Sequence, residues 1–267
     1  MLRAPGRKSV VVKPHLPNAG VRIWYYMQLE RFLEQMHREI STLVLAEYRK
    51  ARPIYPLAAD NSITDALQGL FKRIASFWQG RVTSKSQEIA AFFVYKSMRA
   101  NDFSMRKQFK KAGFDVKLNF TPEIEQIAKA AIAENVALIE SIPAQYFKEI
   151  QTKVWQSVSR GGDLHTLAQD LHKSYGISQR RAATIARDQN NKVKAVTENA
   201  RRLELGLTHA RWHHSGGGKE PRASHVAFSG KIFDLKKGAY LDGKWVLPGS
   251  EINCRCTSSV VVPGFDD

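Results

Sequence analysis

The stretch from Ser178 to Gly206, SQRRAATIARDQNNKVKAVTENARRLELG, decides the fold of this chain. Its apolar residues recur at intervals of three and four positions, which predicts one long amphipathic helix that ends at Gly206. Because a helix rises 1.5 Å per residue, this segment would form a rod of about 40 Å. The opposite face is polar and consists of Arg180, Arg181, Arg187, Asp188, Asn190, Asn191, Lys192, Lys194, Arg201 and Arg202. We interpret that face as solvated, with a contact surface for nucleic acid or another protein as the alternative.

The residues before this stretch also follow a helical pattern, from Val21 onward. Thr121 precedes Pro122 and a periodic apolar run, an arrangement typical of a helix N-terminus. Asp163 likewise predicts the start of a helix, and Tyr175-Gly176 predicts its end. The apolar stripes of these helices must cover one another.

The composition changes after Gly206. Asp242-Gly243 lies between apolar residues and predicts a two-residue hairpin turn. The run Ser-Val-Val-Val at residues 259–262 predicts a final strand. We therefore predict an α+β protein, with a mostly α-helical N-terminal part and a small antiparallel-sheet C-terminal domain that packs on the long helix.

The chain of 267 residues is strongly basic. Its 41 Lys and Arg residues against 25 Asp and Glu residues give a formal net charge of +16. A hydrophobic content of 43% excludes wholesale disorder. No apolar run approaches the roughly 18 residues that span a bilayer, so we expect no membrane contact. Residues 1–20 form a basic arm that lacks the apolar stretch of a secretory signal.

Positive charge is dense between Arg99 and Lys117. The candidate contact residues in this stretch are Arg106, Lys107, Lys110 and Lys111. Since a positive field attracts polyanions by releasing their counterions, we expect these residues to bind double-stranded DNA without sequence preference, or an acidic partner protein. A solvated helix face is the alternative.

The C-terminal region contains the residues best suited to bind a metal. Two thiolates with one or two imidazoles suit zinc, and the candidate ligands are Cys254, Cys256 and His225, with His214 as a weaker fourth. The spacing is one residue, whereas common structural zinc sites have two to four residues between their cysteines, so the spacing alone does not establish a site. Buried or disulfide-linked cysteines and hydrogen-bonded histidines are the alternative.

The sequence offers little support for other chemistry. A Cys–His nucleophile pair lacks an identifiable oxyanion site and orienting carboxylate. We interpret Asp234, Asp242 and Glu251 as turn residues. No glycine-rich phosphate loop opens a helix. We therefore predict no catalytic and no nucleotide-binding residue.

The C-terminal motifs resemble those of a known family. The run from Ala210 to His225, ARWHHSGGGKEPRASH, precedes FSGKIF at residues 228–233 and then Pro248-Gly249 and Asn253-Cys-Arg-Cys256. This ordered set resembles the Mu F-like head morphogenesis family of tailed phages, whose members are minor capsid proteins.

The resemblance covers residues 145–262 and includes RAATIAR at residues 181–187, which is similar to the segment that leads into the family's domain. Asp188-Gln189 stands where relatives often show Thr-Glu, so a role tied to that acidic position does not carry over. Together with the charge distribution, the resemblance implies three parts. These are a basic N-terminal arm (1–20), a helical domain (21–144) and a Mu F-like α+β domain (145–267).

The resemblance also implies a function. It implies a minor capsid protein inside the virion, associated with the portal region and with packaged DNA, that supports head assembly, DNA packaging or ejection without catalysis. The implied partners are the phage portal protein, major capsid or scaffold proteins and double-stranded DNA. The implied locations are the phage head and, during assembly, the host cytoplasm. The alternative is a metal-dependent DNA-processing or toxin-type enzyme that uses the C-terminal His/Cys cluster. We expect the chain's end at Asp267 to leave no room for an appended effector domain.

Overall fold

A computed structural model describes residues 2–3, 12–50, 62–160, 163–217 and 220–262. Residue 1 and residues 4–11 of the predicted basic arm lie outside the described residues. The chain divides into two compact units. Unit 1 comprises residues 1–23, 92–132 and 186–267, and unit 2 comprises residues 24–91 and 133–185. The predicted division into parts 1–20, 21–144 and 145–267 stays a prediction.

Long helices make up most of the described residues. They are α1 (Ala19–Lys50), α2 (Ser62–Lys111), α3 (Pro122–Arg160) and α4 (Leu164–Glu204), and a short helix α5 spans Ala223–Ala227. Among the described residues, no helix combines the length and the apolarity that crossing a bilayer requires.

Two predicted helix starts are confirmed by their hydrogen bonds. The Ile124 N–H donates to Thr121 Oγ1 at 3.4 Å, and α3 begins at Pro122 as predicted. The Thr166 N–H donates to Asp163 Oδ1 at 2.9 Å, which caps α4. Each capping oxygen satisfies an N–H group that has no partner within the helix.

The predicted end of a helix at Tyr175-Gly176 is wrong, because α4 continues through Gly176. Glycine within a helix costs about 1 kcal/mol relative to alanine, which tertiary packing offsets where a helix face is buried. Leu171 and Ser174 before the glycine and Ser178 after it are all buried. The packed face therefore keeps this segment helical.

The strands of unit 1 form small antiparallel sheets. The main sheet has β3 (His209–His213) between β4 (Ile232–Asp234) and β7 (Thr257–Val261). A hairpin joins β5 (Ala239–Leu241) to β6 (Lys244–Val246), and β1 (Leu2–Arg3) pairs with β2 (Phe114–Asp115). Asp242 and Gly243 have φ values of 51° and 79°, as a type I′ turn requires. The predicted hairpin and the predicted α+β class are confirmed.

Trp212 on β3 lies at the centre of the unit 1 core. Its side chain is fully buried, and its ring meets those of Phe228 and Phe233 edge to face at 5.8 and 6.0 Å. The sheet packs on α4 as predicted, since the Asn199 amide donates to the Leu235 carbonyl at 2.8 Å.

The interpretation of the polar face of α4 as solvated or as a contact surface is wrong for its C-terminal half. The buried members of that face are Asp188, Asn190, Lys194, Arg201 and Arg202. Lys194, Glu198 and Arg202 follow one another at four-residue intervals and form a buried charge ladder. Arg202 Nη2 lies 2.7 Å from Glu198 Oε1, while Nη1 donates to Ser258 Oγ on β7 at 2.7 Å. Charged side chains tolerate burial here because each has a partner of opposite charge or a hydrogen-bond acceptor.

Unit 2 has its own core of helical side chains. Phe71 meets Phe147 and Trp155 edge to face, each at 5.8 Å between ring centroids. The buried Tyr25 hydroxyl donates to Asn135 Oδ1 at 2.9 Å. Of the apolar stripe of α1, Leu33, Met36, Ile40 and Val44 are buried.

Candidate functional site

The two cysteines lie in a turned segment that precedes β7. Gly249 and Asn253 have φ values of 90° and 60°, and the Cys254 N–H donates to the Glu251 carbonyl at 3.0 Å. The chain therefore turns before Cys254, and neither cysteine belongs to the strand. The short spacing of the cysteines does not keep them apart from a shared partner, because both sulfurs lie beside His225.

His225 on α5 brings the two cysteines together. Its Nδ1 atom lies 3.6 Å from Cys254 Sγ and 3.8 Å from Cys256 Sγ. The ligand atoms of the three residues all lie within 4.8 Å of one another, and all three side chains are buried. Both cysteines are free thiols. We call these three residues the Cys/His cluster.

A carboxylate orients the imidazole of His225. Its Nε2 atom lies 3.0 Å from Glu251 Oε2, and the Lys244 ammonium pairs with the other carboxylate oxygen. The ring of Trp212 packs edge to face against the imidazole at 5.1 Å. Hydrogen bonding at Nε2 leaves Nδ1 to face the sulfurs.

The electrostatic surroundings favour one thiolate in the cluster. The hydrogen bond from the Cys256 thiol lowers the pKa of Cys254 to about 5, against the opposing effect of burial. The same hydrogen bond raises the pKa of Cys256. Burial opposes ionisation of Glu251, yet Lys244, Arg222 and His225 together lower the pKa of that carboxyl.

The Cys/His cluster lines a cleft of about 580 Å³. Three arginines, Arg187, Arg222 and Arg255, line the same cleft with one carboxylate, Glu220. Arg187 donates to Asn253 Oδ1, and Arg222 donates to the Ile252 carbonyl at 3.0 Å, so two of the guanidinium groups are anchored on the turned segment. The cleft therefore presents more positive than negative charge beside the cluster.

Of the four predicted metal ligands, the structure brings three together. His214 also lines the cleft but lies outside the Cys/His cluster, and its Nδ1 accepts a hydrogen bond from the Gly216 N–H at 3.1 Å.

Glu251 is the residue that sequence reasoning missed. Its assignment as a turn residue omits its contact with His225. The available signal was the position of an acidic residue three places before Cys254, within the same motif.

The predicted basic contact residues lie at the C-terminal end of α2. Arg106, Lys107, Lys110 and Lys111 are all exposed. Arg106 also donates to the Leu118 carbonyl at 3.2 Å. Cations at this end of a helix interact favourably with its dipole, and their exposure leaves them accessible to phosphate.

The described residues form a mostly helical α+β protein in which the region around the small C-terminal sheet carries two buried thiols and a buried imidazole. The sequence model of the family described as Phage Mu protein F like protein matches residues 148–259. This match confirms the predicted resemblance to the Mu F-like family over those residues.

A relative also aligns with nearly the whole chain. An uncharacterized protein of Haemophilus influenzae strain Rd is 29% identical over 261 residues, which cover 96% of this chain and 56% of the relative. The chain thus spans little more than half the length of that relative. No solved structure matches the chain.

Proposed function

We propose that this chain acts as a minor capsid protein, internal to a phage head and associated with the portal region and with packaged DNA. The observation that carries this proposal is the family match over residues 148–259. In this role the protein supports head assembly, DNA packaging or ejection by binding rather than by catalysis. Its partners would be the portal protein, major capsid or scaffold proteins and double-stranded DNA.

The exposed cations at the end of α2 support the DNA part of the proposal. Their side chains reach solvent, whereas the cations of the α4 charge ladder are buried. Lysine and arginine that pair with phosphates release counterions, which makes binding independent of sequence and steeply dependent on salt.

A DNA-binding titration at several salt concentrations tests this surface. Replacement of Arg106, Lys107, Lys110 and Lys111 by glutamine should weaken binding. It should also reduce the slope of log K against log salt by about 0.9 for each phosphate that the variant no longer neutralises. Equal affinity and slope in the variant and the parent would contradict the assignment.

A matched control removes the same charge elsewhere. Lys72, Arg73, Lys148 and Arg160 are exposed residues of unit 2, and their replacement by glutamine also lowers the net charge by four. The control should retain most of the affinity. An equal loss in both variants would assign DNA binding to net charge alone.

Fractionation of purified phage particles tests the location. The protein should sediment with mature heads and resist external protease until the heads are opened. Mature heads that lack the protein would overturn the proposal.

A second candidate function is metal-dependent DNA processing. The observation that favours it is the Cys/His cluster at the wall of an open cleft. DNA cleavage that is lost on chelation and restored by zinc would support this function. Intact DNA after prolonged incubation with the zinc-loaded protein would eliminate it.

A further inference from the structure

The spacing of the Cys/His cluster matches the edges of a metal coordination shell. In a tetrahedral zinc site, bonds of about 2.3 Å to sulfur and 2.0 to 2.1 Å to nitrogen place the two kinds of ligand atom about 3.5 to 3.6 Å apart. The observed separations from His225 Nδ1 to the sulfurs of Cys254 and Cys256 are 3.6 and 3.8 Å. A metal ion between the three atoms therefore requires little movement.

Without a metal, hydrogen bonds are the contacts that hold the three residues of the cluster together. When Nε2 donates its proton to Glu251, Nδ1 of His225 has a single lone pair. Both thiols approach that one lone pair, which can accept a hydrogen bond well from one of them, and the other thiol then donates to the neighbouring sulfur. A metal ion instead accepts lone pairs from both sulfurs and from the nitrogen at once.

The groups around the cluster suit a metal-bound thiolate. The Gly249 N–H donates to Cys254 Sγ at 3.3 Å. The buried indole N–H of Trp212, whose ring packs against His225 at 5.1 Å, makes no hydrogen bond within the described structure. The contact between Glu251 and His225 is the outer-shell arrangement that fixes histidine ligands to zinc.

The three ligand residues also line the cleft, so the side of the cluster away from the core is accessible. We propose that His225, Cys254 and Cys256 bind one Zn²⁺ ion whose fourth coordination position opens into the arginine-lined cleft. Soft sulfur with imidazole nitrogen selects zinc over magnesium or calcium. Three protein ligands leave one position for water or for an anion that the arginines attract.

Metal analysis of the full-length protein tests the binding site. Protein purified without chelator should contain one zinc per chain, and zinc-free protein should take up one equivalent. The Cys254→Ser and His225→Ala variants should lose this stoichiometry, whereas His214→Ala should keep it. A zinc-free parent protein that fails to take up zinc would overturn the proposal without reliance on any variant. Full zinc retention after Cys254→Ser together with Cys256→Ser would also overturn it.

Glu251 is a positioning residue in this site, and its effect should appear in the affinity for zinc. Glu251→Gln should weaken zinc binding by about 10- to 100-fold, as expected when an outer-shell carboxylate is removed. Glu220→Gln is the matched control, since Glu220 lines the same cleft and does not belong to the cluster. Equal zinc affinities in the two variants would contradict the role of Glu251.

Cobalt tests the open position. Co²⁺ in place of Zn²⁺ should give the visible absorption of a tetrahedral thiolate site. Addition of inorganic phosphate should change that spectrum in a saturable manner, and Arg222→Gln should raise the phosphate concentration required. A spectrum that phosphate leaves unchanged at saturating concentrations would overturn the open position.

This inference stands apart from the proposed capsid function. Zinc content and cobalt spectra are measured on purified protein in the absence of DNA and phage. Absence of the protein from heads would contradict the proposed function and leave the zinc result intact. Conversely, failure of the purified protein to bind zinc would contradict the zinc site and leave the proposed function intact.

Discussion

The C-terminal ends of α2 and α4 are similarly rich in positive charge, yet unit 1 uses them in opposite ways. Arg106, Lys107 and Lys110 of α2 are exposed. Lys194 and Arg202 of α4 are buried and share the carboxylate of Glu198, which lies four residues from each. The comparison teaches that the density of cations on a helix does not by itself separate an internal charge network from an exposed face, because the buried cations of α4 are the ones that share a buried carboxylate.

Among the variants that test this comparison, Glu198→Gln should have the largest effect on stability. It leaves two buried cations without their carboxylate, and breaking a buried ion pair in this way costs about 3–5 kcal/mol. Urea unfolding should show that loss in the free energy of unfolding. Glu204→Gln serves as the control, because Arg201 retains Asp102 when the more exposed Glu204 is neutralised. Similar losses in both variants would refute the special role of Glu198.

A smaller effect is expected at Asp102, which accepts two hydrogen bonds from Arg201 at 3.0 and 2.7 Å. Asp102→Asn should lower the free energy of unfolding by about 1.5–3 kcal/mol, the range for a hydrogen bond to a charged group. Asp115→Asn, at an exposed position on β2, should change it little. Stability equal to the parent in Asp102→Asn would show that Glu204 alone suffices for Arg201.

Acid should affect the buried ladder through His15. Burial is the main cause that lowers the pKa of His15, the cations of Lys194 and Arg202 act in the same direction, and Glu198 and Asn101 oppose them. Below about pH 6.5, the ordinary histidine value, the unfolded chain thus binds more protons at this residue than the native chain. Stability is therefore lost as the pH falls from 6.5 through the lowered value.

His15→Gln should remove this contribution and flatten the fall in unfolding free energy between pH 7.5 and 5.5. The change is limited to about 1.4 kcal/mol per pH unit, the maximum for one proton. Part of the fall should remain, since burial also lowers the pKa of His37 and His213. If the unfolding free energy of His15→Gln differed from that of the parent by the same amount at every pH, the titration of His15 would be contradicted.

The smallest effect on stability is expected when an exposed lysine of α2 is neutralised. Lys107→Gln on α2 should change the free energy of unfolding by less than about 0.5 kcal/mol, as usual for an exposed position. Lys194→Gln makes the same chemical change on α4 and should cost several times more, because Glu198 then lies buried beside a neutral amide. Equal losses of unfolding free energy at Lys107 and Lys194 would contradict the distinction between the C-terminal ends of α2 and α4.

Local patterns predicted much of the fold. Thr121 and Asp163 marked helix starts, and Asp242-Gly243 marked the hairpin, because these signals act between neighbouring residues. The passage of α4 through Gly176 could not be predicted in the same way. It depends on burial by residues distant in sequence, which periodicity does not report.

The candidate site likewise has one part that the sequence predicted and another that it did not. Residue types alone predicted His225, Cys254 and Cys256 as possible partners, but the turn that precedes Cys254 depends on the left-handed conformation of Asn253. Asparagine is one of the few residues besides glycine that adopts this conformation readily, so the signal was present but ambiguous. The contact of Glu251 with His225 joins residues 26 positions apart and was therefore beyond local reasoning.

The charge ladder also limits the order in which the protein folds during its synthesis. Its hydrogen-bond acceptor Ser258 lies 56 residues after Arg202, and His15 approaches Glu198 from a segment made long before α4. A nascent chain that has emerged from the ribosome only through α4 has Glu198 as a partner for the guanidinium of Arg202, but water must occupy the place of Ser258. The closing step in the folding of unit 1 therefore follows the translation of β7.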